Sequence, residues 1–170
     1  ERLQDGAMLA LVSDAGMPAI CDPGSDLVAL ALEAAIPVVP LPGANAGLTG
    51  LIASGMDTTR FTFVGFLPKT KKHRLPVLHG LEHTEGTLIF YEAPHRLKST
   101  LEFLLNSLGD RKIAICRELT KIHEDIKRTN LSEALNFYKE NNAKGEYVLI
   151  VEGKNIEEIK EEERAKWEQI

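Results

Sequence analysis

Ser13-Asp14-Ala15-Gly16-Met17-Pro18-Ala19-Ile20-Cys21-Asp22-Pro23-Gly24 follows the apolar run Met8-Leu9-Ala10-Leu11-Val12 and holds two glycines, two prolines and two aspartates. Proline fixes φ and removes a donor, and glycine permits positive φ, so the stretch reads as a shaped loop. After it, Ser25-Asp26 can cap a helix whose Leu27, Val28, Leu30, Ala31 and Leu32 form an apolar stripe expected to be largely buried. The order is strand, loop, helix. In an open α/β sheet, ligands bind where such loops leave the carboxyl ends of the strands.

The same alternation continues outward from this point. Period and composition predict strands at 7–12, 36–39, 61–65, 87–91, 112–117 and 146–151. Helices are predicted at 25–34, 44–54, 74–81, 94–108, 131–140 and 156–168. Strands alternating with helices give an α/β protein. The polar bridge Gly55-Met56-Asp57-Thr58-Thr59-Arg60 divides it into a first lobe over 1–57, a second over 58–153, and an acidic helix or tail over 154–170. A first lobe with two strands encloses little core, so it reads as the remainder of a truncated lobe.

The chain has 170 residues, 44% hydrophobic and 26% charged, the composition of a globular protein. No apolar run approaches the ~20 residues of a membrane span. The net charge of −5 argues against a generally basic nucleic-acid binder, yet Glu157, Glu158, Glu161, Glu162 and Glu163 carry much of it. A local basic patch is therefore compatible with the total. Cys21 and Cys116 have no metal-type spacing and read as free thiols of a cytoplasmic protein, and no metal site is expected.

Four further stretches stand out. Pro40-Leu41-Pro42-Gly43-Ala44-Asn45-Ala46-Gly47 is a second small-residue loop before a helix; it suits either an anionic ligand or a tight connection. Phe90-Tyr91-Glu92-Ala93-Pro94-His95-Arg96 ends a strand in a carboxylate, with Pro94 able to take the first helical position. There Glu92, His95 and Arg96 gather at a strand end, although each also has a purely structural use as cap or ion-pair partner. Arg117-Glu118-Leu119-Thr120-Lys121-Ile122-His123-Glu124 leaves the strand at Ile113 as a charged run, either a site or a solvated salt-bridge cluster. Finally, Lys69, Lys71, Lys72 and Arg74 surround His73 just after a strand. Such cations suit nucleic-acid phosphates, the alternative being solubilising decoration.

Taken in order, these blocks resemble the tetrapyrrole-methylase superfamily, and within it the RsmI-type small-subunit ribosomal RNA (cytidine-2'-O)-methyltransferases. The resemblance rests on 11–24, Pro40-Leu41-Pro42-Gly43, Phe63-Val64-Gly65-Phe66-Leu67-Pro68, 90–96 and 117–124. It implies two α/β lobes with S-adenosylmethionine bound between them, usually in a homodimer, acting on ribosomal RNA in the small subunit. Implied cofactor neighbours are Asp14, Gly16, Met17, Ile20, Gly43, Asn45, Ala46 and Tyr91. Glu92, Lys121 and Glu124 are the candidates for removing the ribose proton or orienting the ribose. Lys69, Lys71, Lys72, Arg74, Arg96 and Arg117 are candidates for holding RNA. Pro42-Gly43-Ala44-Asn45-Ala46 replaces the family's usual Pro-Gly-Pro-Ser-Ala, Cys21 stands where Ser is common, and the family's first strand is absent. Other readings left open are methylation of a tetrapyrrole or other small molecule, and a non-catalytic module binding the cofactor or RNA.

Overall fold

A computed structural model describes residues 1–155, so the helix expected over 156–168 lies outside the described residues. The chain divides into two compact units, residues 1–46 and the remainder from Gly47.

In the first unit the single helix is α1, Ser25–Glu33. Ser25 is its first helical residue and Gly24, at φ 133°, takes the N-cap place, so the expected side-chain cap is not made. The C-terminus closes by two backbone bonds, Ile36 N–H to the Ala31 carbonyl at 2.9 Å and Ala35 N–H to that of Leu32 at 3.0 Å. Ala35 takes the left-handed place, φ 55°, that glycine usually fills. Two expectations fail here. Residues 7–12 and 36–39 are not strands, because a strand exists only in a ladder and among the described residues neither finds a partner. Without a sheet to pack on, α1 buries Ala31 alone, leaving Leu30 and Leu32 60% exposed or more.

The second unit is built on a five-stranded sheet in the order β1-β2-β5-β3-β4. Its strands are β1 (Phe61–Phe66), β2 (Thr87–Glu92), β3 (Lys112–Arg117), β4 (Asp125–Asn130) and β5 (Tyr147–Val151). β1 runs parallel to β2, and β5 lies antiparallel between β2 and β3, so β1, β2 and β3 share one direction. The edge strand β4 was not predicted. Only Ile126 in it is apolar, and its strand character comes from antiparallel pairing with β3. Charge on an edge strand also blocks pairing with other chains.

Helices α3 (Lys71–Leu81), α4 (Pro94–Leu108) and α5 (Leu131–Glu140) cover one face of this sheet. α4 brings Leu97, Leu101 and Leu104, wholly buried, against Leu88, Phe90 and Ile115. Their spacing of three and four residues is the apolar stripe read in the sequence. Each such side chain contributes about 1.5–3 kcal/mol on burial. The other face carries a smaller cluster, in which Leu51 of α2 (Ala46–Ser54) meets Ile89, Ala114, Cys116, Val148 and Ile150. Gly50 lets α2 approach: a β-carbon there would stand 3.1 Å from Val148 Cγ1. α2 thus packs on the second unit's sheet, upstream of the bridge at 55–60. α3 starts three residues earlier than expected, which sets Pro76 inside the helix and removes one backbone bond.

Candidate functional site

Parity along β2 decides what its last residues do. Leu88, Phe90 and Glu92 point to the face covered by α4, whereas Ile89 and Tyr91 point to the α2 face. Glu92 therefore runs under α4 and is 2% exposed. One carboxylate oxygen accepts the Ala93 N–H at 2.9 Å and faces Arg96 Nε at 3.4 Å; the other accepts the Thr100 hydroxyl. Glu92, a candidate for removing the ribose proton or orienting the ribose, is thus enclosed: its oxygens are already engaged and its side chain has no exposure. Thr100, which the sequence reading missed, lies two helical turns beyond Glu92 in a helix whose facing only packing reveals.

Arg96 donates to the Leu67 carbonyl at 2.7 Å, and Arg74 donates to the carbonyls of Pro68 and Lys69, each at 3.0 Å. Both guanidiniums thus clamp the turn after β1. Arg74 is 5% exposed and stacks on Phe103, 4.4 Å from the ring centre. Burial, followed by the neighbouring Arg96 charge, lowers its pKa, while Glu92 opposes the shift. Arg74, a candidate RNA contact, thus places two of its nitrogens on carbonyls inside the fold, and its Nη1 is buried without a partner. Arg96 is half-buried and committed likewise. Lys69 is exposed on the turn these arginines hold, and Lys71 and Lys72 are exposed in the first turn of α3.

Tyr91 faces the other way. Its hydroxyl accepts the Gly47 N–H at 3.0 Å, and its ring meets Phe63 and Phe66 edge-on at 5.1 and 5.7 Å. The carboxyl ends of β1, β2 and β3 lie at one edge of the sheet, where Glu92, Tyr147, Arg117 and Asp125 stand in one register row. This edge brings together the lysine turn, the Tyr91 turn and the charged run after Arg117. Arg117 is partly buried, with no partner at Nε.

The run after Arg117 is tightly shaped. Glu118 and Thr120 sit at φ 48° and 64°, left-handed values that cost a residue with a β-carbon about 1–2 kcal/mol each. Lys121 Nζ reaches Glu146 Oε2 at 2.8 Å and Glu118 Oε1 at 3.2 Å. Glu118 Oε1 also accepts the Glu146 N–H at 2.8 Å, and Glu124 Oε2 accepts the Thr120 N–H at 2.6 Å. The hydrogen bonds that Lys121 donates to Glu146 and then to Glu118 raise its pKa. Lys121 is thus held as a cation between two carboxylates. The Glu146 backbone bond, then the Lys121 ammonium, lowers the Glu118 carboxyl. Exposed ion pairs contribute about 0–1 kcal/mol, so these do not offset the backbone cost. Glu146 was missed because it arrives with β5, and only sheet pairing sets it beside Glu118.

In the first unit, the loops around Gly16 and Gly43 lie side by side. A β-carbon on Gly43 would stand 3.3 Å from Met17 Cγ, and one on Gly16 3.4 Å from the Ala44 carbonyl. Gly16 is left-handed at φ 74°. Asp14 and Ile20 are exposed, Met17 and Asn45 partly buried. The two loops expose closely apposed backbone, the property for which both were selected.

A concavity of about 1330 Å³ lies at the opposite sheet edge of the second unit, near Asp57, Arg111, Lys112 and Glu152. Its charges are internally engaged: Lys112 pairs with Glu152 at 3.2 Å and Arg111 donates to the carbonyls of Leu108 and Glu82. Among the described residues there is no cluster suited to a metal ion and no helix long and apolar enough to cross a membrane.

Comparison with known proteins gives the fold a class. The methyltransferase CobJ superimposes with TM-score 0.64 at 21% identity, covering 89% of this chain and 67% of that one. A uroporphyrin-III C-methyl transferase from Thermus thermophilus, complexed with S-adenosyl homocysteine, gives 0.56 at 20% identity, covering 81% and 62%. The second unit's mixed sheet is thus an architecture seen in methyltransferases. A family model, the tetrapyrrole (corrin/porphyrin) methylases, matches residues 1–135, and the chain belongs to that family. Ribosomal RNA small subunit methyltransferase I of Halalkalibacterium halodurans is 53% identical over 168 residues, 99% of this chain and 57% of the relative. The protein so named in Bacillus subtilis is 49% identical over 170 residues, covering 100% and 58%. The chain therefore spans a little under three fifths of the length of these relatives.

Proposed function

We propose that the protein transfers a methyl group from S-adenosylmethionine to the ribose 2'-hydroxyl of a cytidine in small-subunit ribosomal RNA. The observation that carries this reading is the 53% identity, over nearly the whole chain, to a relative named for methylating that RNA. Identity to the uroporphyrin-III C-methyl transferase from Thermus thermophilus is 20%. That contrast favours RNA over a tetrapyrrole.

The residues of the first unit fit the cofactor. Apposed backbone at Gly16 and Gly43 suits hydrogen bonding to a nucleoside and an amino-acid end, and Met17 and Ile20 offer apolar contact to an adenine. Asp14, Asn45 and Ala46 complete the set we assign there; Tyr91 is kept as a proposed cofactor neighbour on the family resemblance alone. The cofactor supplies an electrophilic methyl already activated on a sulfonium. The chain's task is then alignment and removal of one weakly acidic proton. We assign proton acceptance to Glu124, an exposed carboxylate held through one oxygen by the Thr120 N–H. Lys121 acts as a fixed positive charge for a phosphate or the ribose oxygens. Lys69, Lys71, Lys72 and Arg117 hold the RNA backbone, while Glu92, Arg74 and Arg96 keep the turns in place. A homodimer in the cytoplasm, where the ribosome is, accords with this reading.

The test is methyl transfer from labelled S-adenosylmethionine, by the full-length protein, to small ribosomal subunits lacking the modification. Label on a cytidine ribose supports the proposal, and Glu124→Gln should abolish most of it while binding of S-adenosylmethionine persists. Label on a tetrapyrrole and none on RNA overturns it. Cofactor or RNA binding without transfer identifies a non-catalytic module.

A further inference from the structure

The loop after β3 spends backbone strain at Glu118 and Thr120 on a shape that exposed ion pairs do not repay, and such strain collects at functional sites. Its anchor is the Glu118 carboxylate. That group occupies the space beside Gly145, where a β-carbon would stand 2.7 Å from Glu118 Cγ and 2.8 Å from Oε1. Gly145 itself is at φ 85°. The seat is reciprocal: Glu118 N–H donates to the Glu146 carbonyl at 3.0 Å, and Glu146 N–H returns a bond to Glu118 Oε1 at 2.8 Å. From this seat the same oxygen meets Lys121 Nζ at 3.2 Å, and the Lys121 N–H bonds the Glu118 carbonyl at 3.0 Å. Two strand ends, β3 and β5, thereby fix one ammonium at the carboxyl edge of the sheet.

We infer that Glu118 is a positioning residue, seated by the absent side chain of Gly145, which holds the Lys121 ammonium where an RNA phosphate meets it. A free lysine samples many rotamers, and ordering one against an anion costs conformational entropy. A lysine already braced by Glu118 and Glu146 has lost that freedom before RNA arrives. The bracing acts on RNA binding and leaves the first unit's cofactor loops untouched. The inference rests on the RNA reading above and on Lys121 contacting that RNA.

The experiment measures steady-state methyl transfer by the full-length protein with RNA varied and S-adenosylmethionine saturating, together with cofactor affinity by calorimetry. Glu118→Ala and Gly145→Ala, which evicts the carboxylate without removing a polar group, should each raise the KM for RNA about tenfold with kcat little changed. Cofactor affinity and the thermal unfolding midpoint should stay near those of the parent in Glu118→Gln, which keeps the acceptor for Glu146 N–H and loses the charge. In a Lys121→Met background, Glu118→Ala should add nothing further. The inference is overturned if Glu118→Ala costs the full factor again in that background, or if it is silent where Lys121→Met raises KM. Silence of Lys121→Met itself removes Lys121 from the RNA contacts and this inference with it, while methyl transfer to RNA stands.

Discussion

Replacing Glu92 separates a scaffold carboxylate from a chemical one. Its side chain has no exposure, that of Arg96 has 15%, and the two approach at 3.4 Å. Removing one member of a buried pair leaves an uncompensated charge and costs about 3–5 kcal/mol. Arg96 keeps its 2.7 Å bond to the Leu67 carbonyl, which places Glu92→Ala at the lower end, about 3 kcal/mol. The Ala93 N–H and Thr100 hydroxyl also lose their acceptor, and Thr100 is 0% exposed, so water does not replace it. Glu92→Gln retains one carbonyl oxygen and should cost about 2 kcal/mol. Total stabilities of about 5–15 kcal/mol make either loss plain in urea unfolding followed by far-ultraviolet circular dichroism. Pairing Glu92→Gln with Arg96→Met, which removes both charges, should recover part of the loss. If Glu92→Gln unfolds at the parent's urea concentration yet loses methyl transfer, the scaffold assignment is refuted and the carboxylate acts on substrate.

Three further outcomes follow from the same geometry. Converting Lys69, Lys71 and Lys72 together to alanine should weaken RNA binding uniformly across sequences and lower the salt-dependence slope by about 2–3, with unfolding unchanged, as filter binding over a salt series will show. Burial pushes the Cys116 thiol from 9.0 up to about 11, so the folded state holds its proton where the unfolded state has lost it. That contribution to stability is complete below pH 9 and declines as pH rises toward 11; urea titrations should show it, with Cys116→Ser flattening the decline. Asp110 accepts the Ser132 N–H at 2.8 Å and its hydroxyl at 2.6 Å, capping the first turn of α5, where Asn130 makes no side-chain cap. Asp110→Ala should lower the unfolding free energy by about 0.5–2 kcal/mol, measured by thermal melts.

Much of the second unit is legible in the sequence. The continuous apolar runs at 87–91 and 146–151, the α4 stripe of Leu97, Leu101 and Leu104, and Pro94 at its first position are local signals. Each depends on residues within a turn or a strand of one another. Hydrophobic period alone therefore determined the α/β class, and the ordered loop motifs determined the family. Tertiary structure decided the rest. Residues 7–12 have strand composition and no ladder, and 125–130 has a ladder with little strand composition, because pairing is a property of two segments. Glu92 and Tyr91 are neighbours in sequence and opposite in role, since β parity sends one under α4 and the other toward Gly47. Lys121 owes its fixed charge to Glu146, which lies 25 residues away and is brought near only by β5 lying beside β3. Spacing in a chain fixes which residues share a face; which face is covered, and by what, is fixed by burial.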